Sequence, residues 1–531
     1  MKKMPLGIQN FREIIEGDYV YADKTQYVYS LINEAKHYFL SRPRRFGKSL
    51  LLDTIGEAFS GDKELFKGLW IYDSDFGFPQ HPVLRLDMSR MATKSPAALK
   101  ASLLTVLGEW ANGEGLDVAG SAPSDFFQFL IKGLHNKYGQ SVVVLVDEYD
   151  KPILDRLNDI DIAEANRDVL SGFYGILKSM DPYLRMTFIT GVTKFTKTSI
   201  FSELNNLYDI TMAEDYANIC GIDVEELDKY FGEHIGSMAS LKRFAQCGSI
   251  HDEILKWYDG YSWDGEARVI NPFSLLSFFS RKNFSSFWYS SGTPKFLIDL
   301  IKKRPEGYIN LSNPIIGELE LDSFDIRRLE LEPLLFQTGY LTVKEVLYET
   351  VIPTYALGIP NSEVMEAFNL HILAELTESG GTYARSACRR IRESLSAGDL
   401  EGMLGVMRGL FASIPYQLHI SHESYYHSII YALMNALGYY MDAEVSVSGG
   451  RIDAVLEHGD KVYVMEFKYV DCPLDATPEE KQGLFRGALD KGMSQIKHKG
   501  YADKYAGSGK AIYLAAFAFL GRDNIELKVE R

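Results

Sequence analysis

The chain has 531 residues, 46% of them hydrophobic and 24% charged, with a formal net charge of −16. That balance belongs to a globular protein of about three domains, each long enough for a real core. The negative charge excludes a non-specific nucleic-acid coat without excluding a basic groove on an acidic body, and no apolar run reaches the ~18 residues of a membrane span.

Met1-Lys2-Lys3-Met4-Pro5 carries two lysines with no apolar stretch behind them, so no signal peptide is expected. Within the preamble of residues 5–30, Asp23 or Thr25 is expected to cap a helix through Tyr27 to Ala35. His37 to Leu40 is an apolar, strand-like run. Ser41-Arg42-Pro43-Arg44-Arg45-Phe46-Gly47-Lys48-Ser49 follows it and leads into a helical stretch, Leu50 to Phe59. A strand, a tight turn and a helix form a phosphate cradle, because the helix N-terminus offers free N–H groups and the positive end of its dipole. Gly47, Lys48 and Ser49 match the end of G-x-x-x-x-G-K-[ST]. Lys48 is expected to reach the β/γ-phosphates of ATP, and Ser49 to ligate Mg²⁺. Arg42 stands where that motif has its first glycine. With Arg44 and Arg45 it makes a basic cluster, of which Arg45 is assigned to the nucleotide.

Val83–Asp87 reads as a strand, and Ser95–Trp110 and Ser124–His135 as helices. Val142-Val143-Val144-Leu145-Val146 is an unbroken apolar run ended by Asp147 and Glu148. Such a run predicts a buried parallel strand, and ligands of open α/β sheets gather at the strands' carboxyl ends. Asp147 is expected to hold Mg²⁺ and Glu148 to polarise the attacking water. Arg185–Gly191 is a further strand, placing Thr190 to sense the γ-phosphate, with Lys194 and Lys197 available to neutralise charge. Strand–helix alternation from residue 30 to about 212 predicts a doubly wound α/β domain.

Tyr19–Thr25, Arg42–Leu50, Val146–Asp150, Thr190–Phe195 and Leu204–Thr211 together resemble the bacterial AAA-ATPase-like family, in which this domain is joined to a C-terminal PD-(D/E)XK nuclease-like domain. The resemblance runs over nearly the whole chain, and the family too has Arg at the position of Arg42. It implies a P-loop NTPase-like parallel-sheet domain, a helical connector and a restriction-endonuclease-like α/β domain. Residues 216–375 are mostly helical in pattern. Their family-like motifs, Tyr258-Asp259-Gly260-Tyr261 and Gly358-Ile359-Pro360-Asn361 among them, read as turns and packing residues without reaction chemistry.

Beyond Ser421 the pattern changes. A helix over Tyr425–Leu437, preceded by Glu423, is followed by strand-like runs at Ala443–Val447, Arg451–Leu456 and Lys461–Tyr469. A strand period of two puts Glu466 and Lys468 on one face, and Asp453 can join them from the neighbouring strand. Two carboxylates and an amine suit phosphodiester hydrolysis, the acids holding Mg²⁺ and the amine orienting or deprotonating the nucleophile. Asp453 followed by Glu466-x-Lys468 resembles the PD-(D/E)XK pattern, as does Gln495 on a later helix ahead of Tyr501. Glu444 competes with Glu423 as the upstream acid, and Gln495 also suits a helix cap.

The expected division is an ATPase-like domain over 1–215, a lid or connector over 216–375 and a nuclease-like domain over 376–531. The expected function is ATP binding and hydrolysis coupled to Mg²⁺-dependent cleavage of nucleic acid, with DNA favoured, by a cytoplasmic, non-membrane protein. The alternative is a nucleotide-dependent switch or scaffold whose nuclease-like domain binds a partner without cleaving it. Homo-oligomerisation is left open, since no arginine finger can be assigned. Cys220, Cys247, Cys388 and Cys472 form no C-x-x-C pair, so neither zinc nor a disulfide framework is expected.

Overall fold

The structure is a computed structural model. It describes all residues except 119, 195–199, 202, 203, 205, 246, 291–313, 322–325, 328, 329, 349, 350, 413–422, 439–441, 448–451, 471–475, 501, 506 and 521–523, and gives the backbone alone at 290, 423–427, 438, 442–447, 452, 453, 499 and 504. The described chain divides into two compact units, one of Met1–Ser291 with Pro314–Asn361 and the other of Ser362–Arg531. The stretch expected as a separate connector is therefore shared. Residues 216–291 and 314–361 fold with the first unit, and the helix starting at Ser362 folds with the second.

The first unit is built on strands β1 (His37–Ser41), β2 (Val83–Asp87), β3 (Val142–Asp147), β4 (Leu184–Gly191) and β5 (Tyr208–Asp209). They form one parallel sheet in the order β2-β3-β4-β1-β5. Val142 to Val146 are all buried, as a strand covered on both faces requires. The register sets Asp87 beside Asp147 and Leu40 beside Thr190, so the carboxyl ends of the strands form one rim. Helices Lys48–Ala58, Pro96–Gly113, Pro123–Tyr138 and Ile160–Ser179 connect them. Ser95 caps the second of these by accepting from Ala98 N, replacing one unmade helical bond. The early helix is Thr25–Glu34, and its N-cap is Lys24 rather than Asp23 or Thr25. Asp23 instead accepts from the N–H and hydroxyl of Thr25.

Helix does not account for all of the middle region. β6 (Ile315–Gly317), β7 (Thr342–Leu347) and β8 (Thr354–Gly358) make an antiparallel sheet ordered β6-β8-β7. In this segment the buried positions are spread over loops and short elements, which hides the period-two signal.

The second unit contains helices Ser362–Thr377, Gly381–Ala397, Leu400–Ala412 and Glu423–Gly438, followed by β9 (Asp442–Val447), β10 (Ile452–His458) and β11 (Lys461–Val470). The long helix Pro478–Lys499, β12 (Ala511–Leu520) and β13 (Asn524–Glu530) complete it. The sheet order is β13-β12-β11-β10-β9, with β11 and β12 parallel and the other pairs antiparallel. A reciprocal box between Thr477 and Glu480 starts the long helix. Phe485, Leu489, Met493 and Ile496 of that helix close over Val455, Val462, Val464, Ala516 and Ala518. Among the described residues no helix is long and apolar enough to cross a membrane.

Candidate functional site

The loop between β1 and helix Lys48–Ala58 turns through two left-handed residues, Arg45 (φ 69°) and Gly47 (φ 92°). Among the described residues, a Cβ added at Gly47 would meet nothing within 4 Å, which leaves the backbone open to a ligand, and alternating residues of this kind point N–H groups into an anion-binding concavity. Lys48 starts the helix with only 6% of its surface exposed. Its Nζ donates to the carbonyls of Arg42 (2.8 Å) and Pro43 (2.9 Å). Burial lowers its pKa from the ordinary lysine value, an effect opposed by Asp147 and Glu148.

Asp147 ends β3 and gathers the neighbouring strand ends. Ser49 Oγ donates to its Oδ2 (2.5 Å), and Thr190 Oγ1 donates to its Oδ1 (2.7 Å). Thr190 thus points at the carboxylate. A carboxylate with two hydroxyls is an all-oxygen donor set of the kind Mg²⁺ takes alongside water and phosphate, so these residues fit that ion. Glu148 follows in a left-handed conformation, φ 52°, which is uncommon for a non-glycine residue and concentrates at functional sites. Burial raises its pKa above the usual carboxylate value, partly offset by Lys48 and, more weakly, Arg44. Asp150, which local pattern did not single out, is buried and accepts from Val192 N (3.0 Å), Thr193 N (2.7 Å) and Thr193 Oγ1 (2.7 Å). It fixes the end of β4 beside Thr190.

The three arginines of the loop separate. Arg45 is exposed, with its guanidinium 5.0 Å from the Phe273 ring. Arg44 is half-buried, and its carbonyl accepts from Trp288 Nε1 (3.0 Å). Arg42 has no exposed surface. It donates to the carbonyls of Ser41 (2.9 Å), Thr211 (2.8 Å) and Tyr216 (3.2 Å), and stacks on Trp263 at 3.9 Å. Burial lowers its pKa to about 10, so it remains charged at neutral pH. Where the full motif has a glycine, this chain has a cation that ties the loop to the segment after β5. Arg42→Gly, which restores that glycine, is therefore expected to destabilise the protein. Three buried carbonyls would lose a charged donor at about 1–3 kcal/mol each, and a lower denaturant midpoint of at least about 3 kcal/mol equivalent would register it. An unchanged midpoint would show that water replaces the guanidinium.

Of the two further lysines expected at the phosphates, Lys194 is engaged elsewhere. Lys194 Nζ pairs with Asp209 (2.5 Å), and its backbone N–H donates to Gln337 Oε1 (3.0 Å); Lys197 is outside the described residues. In the second unit Arg385 pairs with Glu366 (2.5 Å) and Arg389 lies 3.6 Å from Glu393.

In the second unit β10 and β11 pair with Asp453 directly opposite Glu466, which puts both on one face of the sheet. Glu466 is 1% exposed, and its Oε1 accepts from Lys468 Nζ two residues along the same face. Helix Pro478–Lys499 lies on this face. A Cβ added at Gly492 would come within 3.7 Å of Cγ of both Glu466 and Lys468, and within 3.1 Å of Ala516 Cβ. A side chain there would press on Ala516 and require it to give by a few tenths of an ångström, a close approach invisible in the local sequence. Gln495, one turn further on, has a buried Oε1 with no hydrogen-bond partner among the described residues. Among the described residues no three His, Cys, Asp or Glu gather as a metal set. The side chains of Asp453, Glu423 and Glu444, and Tyr501, lie outside the described residues. Mg²⁺ needs one or two protein carboxylates, the remainder being water and phosphate oxygen, so Glu466 and Asp453 fit it in kind.

Residues 5–201 match the family model described as a predicted AAA-ATPase, and residues 421–527 match the PD-(D/E)XK nuclease superfamily. The chain is also 38% identical, over 529 residues, to an uncharacterized protein in the vnfD 5′ region of Azotobacter chroococcum mcd 1, covering 98% of this chain and 96% of that relative.

Proposed function

Because the chain belongs to the AAA-ATPase-like family with a C-terminal PD-(D/E)XK nuclease superfamily domain, we propose that it binds and hydrolyses ATP in its first unit and cleaves nucleic acid in its second. The observation that carries this reading is the convergence of Ser49 and Thr190 on Asp147, at the mouth of a loop that ends in Lys48. On this reading the ATP-binding unit extends to Asn361, and ATP turnover regulates the nuclease. A cytoplasmic location is part of the proposal.

In the ATP site, Lys48 exchanges the carbonyls of Arg42 and Pro43 for β/γ-phosphate oxygens. Backbone N–H groups at Gly47 and Lys48 hold the phosphate charge. Glu148 orients the attacking water and takes up its proton. In the nuclease site, Asp453 and Glu466 supply carboxylate oxygens, while Lys468 moves a proton at the attacking oxygen. When bound at either site, Mg²⁺ would supply charge stabilisation for the reacting phosphoryl group.

Lys48→Ala removes the cation aimed at the phosphates and is expected to weaken ATP binding at least tenfold, about 1.4 kcal/mol, by titration calorimetry. Equal affinity in variant and wild type would overturn the phosphate-loop assignment. For the nuclease unit, Asp453→Ala is expected to lose Mg²⁺-dependent cleavage of single- and double-stranded substrates while ATP affinity stays. A wild type that binds these substrates yet cleaves none would instead favour the non-cleaving scaffold.

A further inference from the structure

Beside Lys468 the second unit opens into a cleft of about 1200 Å³, larger than the roughly 300–1,000 Å³ that encloses a drug-sized ligand. One wall is a stripe of helix Pro478–Lys499 carrying Gly483, Leu484, Gly487, Ala488 and Lys491; the other is the end of β11. The stripe advances by three and four residues, so one more turn brings it to Gln495, and Gly492 beside Lys491 already abuts Glu466 and Lys468. The cleft is thus continuous with the carboxylate–amine site.

Its chemistry limits the occupant. Among the described residues, a Cβ added at Gly483 or Gly487 would meet nothing within 4 Å, which leaves the helix flank open there. Leu484, Ala488, Val470 and Tyr469 make the lining largely apolar, with Lys468 and Lys491 as its cations. Glu480 closes the far end, its carboxylate accepting from Thr477 N (2.8 Å). A duplex turns sugars and phosphates outward and keeps its base faces stacked inside, so it offers nothing to an apolar wall. A single strand offers base faces together with phosphates, the combination that aromatic and apolar walls with cations bind.

We propose that this cleft holds a single-stranded polynucleotide next to the scissile phosphate, with bases against Gly483, Gly487 and Ala488 and a backbone phosphate on Lys491. The inference rests on the nuclease reading above and names its substrate as unpaired strand. Gly487→Leu fills the cleft without weakening the helix, since leucine is the better helix former.

The test is fluorescence anisotropy on the full chain with labelled single-stranded DNA, single-stranded RNA of the same sequence, and the DNA duplex. Ca²⁺ replaces Mg²⁺ to hold the substrates uncleaved. Wild type is expected to bind a single strand at least tenfold more tightly than duplex, and a preference between DNA and RNA would name the sugar. Gly487→Leu is expected to lose at least tenfold in single-strand affinity, with its ATP affinity unchanged and its melting temperature no lower than wild type. Lys491→Ala is expected to flatten the salt dependence of single-strand binding by about 0.7 in log–log slope, one phosphate contact. Equal binding of duplex and single strand, or a Gly487→Leu variant that binds like wild type, overturns the cleft assignment while leaving the nuclease reading intact if cleavage persists. A wild type that neither binds nor cleaves any of the three overturns both.

Discussion

Lys468→Ala is expected to lower phosphodiester cleavage by about 10²–10⁴-fold, the range for losing a positioned acid–base group. ATP affinity should not change, because no residue of the phosphate loop or of the Asp147 rim belongs to the second unit. The amine also has a structural partner in this fold. It pairs with Glu466, which is 1% exposed, and removing the cation of a buried ion pair is destabilising. The alanine variant should therefore also melt earlier, and two effects must be separated. Lys468→Arg separates them: the guanidinium keeps the charge but does not give up a proton near neutral pH. The arginine variant is expected to recover most of the melting temperature and little of the rate. Cleavage rates in Mg²⁺ or Mn²⁺, read beside thermal denaturation of all three proteins, make the comparison. Wild-type rates in Lys468→Ala would remove this residue from the reaction, and full rate rescue by arginine would reduce it to a charge partner of Glu466.

Glu148→Gln is expected to abolish most ATP turnover, again by about 10²–10⁴-fold, while leaving ATP binding close to wild type. The same change should stabilise the protein at neutral pH. Burial raises the Glu148 pKa above its ordinary value, so the native state holds this proton more tightly than the unfolded chain. Stability contributed by the neutral acid is fully present below the ordinary carboxylate value and is lost as pH rises through the raised one. Glutamine stays neutral at every pH and avoids that loss. Its melting temperature should exceed wild type at pH 7 and above, and the difference should vanish on acidification below the ordinary carboxylate range. A variant less stable than wild type at pH 7 would mean that the attraction of Lys48 and Arg44 outweighs burial. Phosphate release undiminished in the variant would move the water-orienting role to another residue.

The strands that carry the chemistry were legible because each is a local pattern. Val142 to Val146 reads as a doubly covered strand from composition alone, and Val462 to Lys468 reads as a period-two strand with Glu466 and Lys468 on one face. Gly47-Lys48-Ser49 is likewise a contiguous signal, and its neighbours announce the strand and helix that frame it. What joins these pieces lies far apart in the chain. Ser49 meets Asp147 across 98 positions, and the pairing of β11 with β12 brings Ala516 beside Glu466 from beyond the long helix. The antiparallel sheet of β6, β7 and β8, and the division of the chain at Ser362, have no local periodicity to reveal them. Arg42 shows the difference most plainly. In sequence it is a substitution in a glycine motif, and its charge suggests an exposed basic cluster with Arg44 and Arg45. In the fold it is fully buried, its two terminal nitrogens donating to the carbonyls of Ser41, Thr211 and Tyr216 while Trp263 covers its face. The sequence by itself determined which residue types stand at each strand end. Tertiary structure alone decided which of those charges are buried and paired and which stay open, because the cost of burying a charge depends on partners drawn from the whole chain.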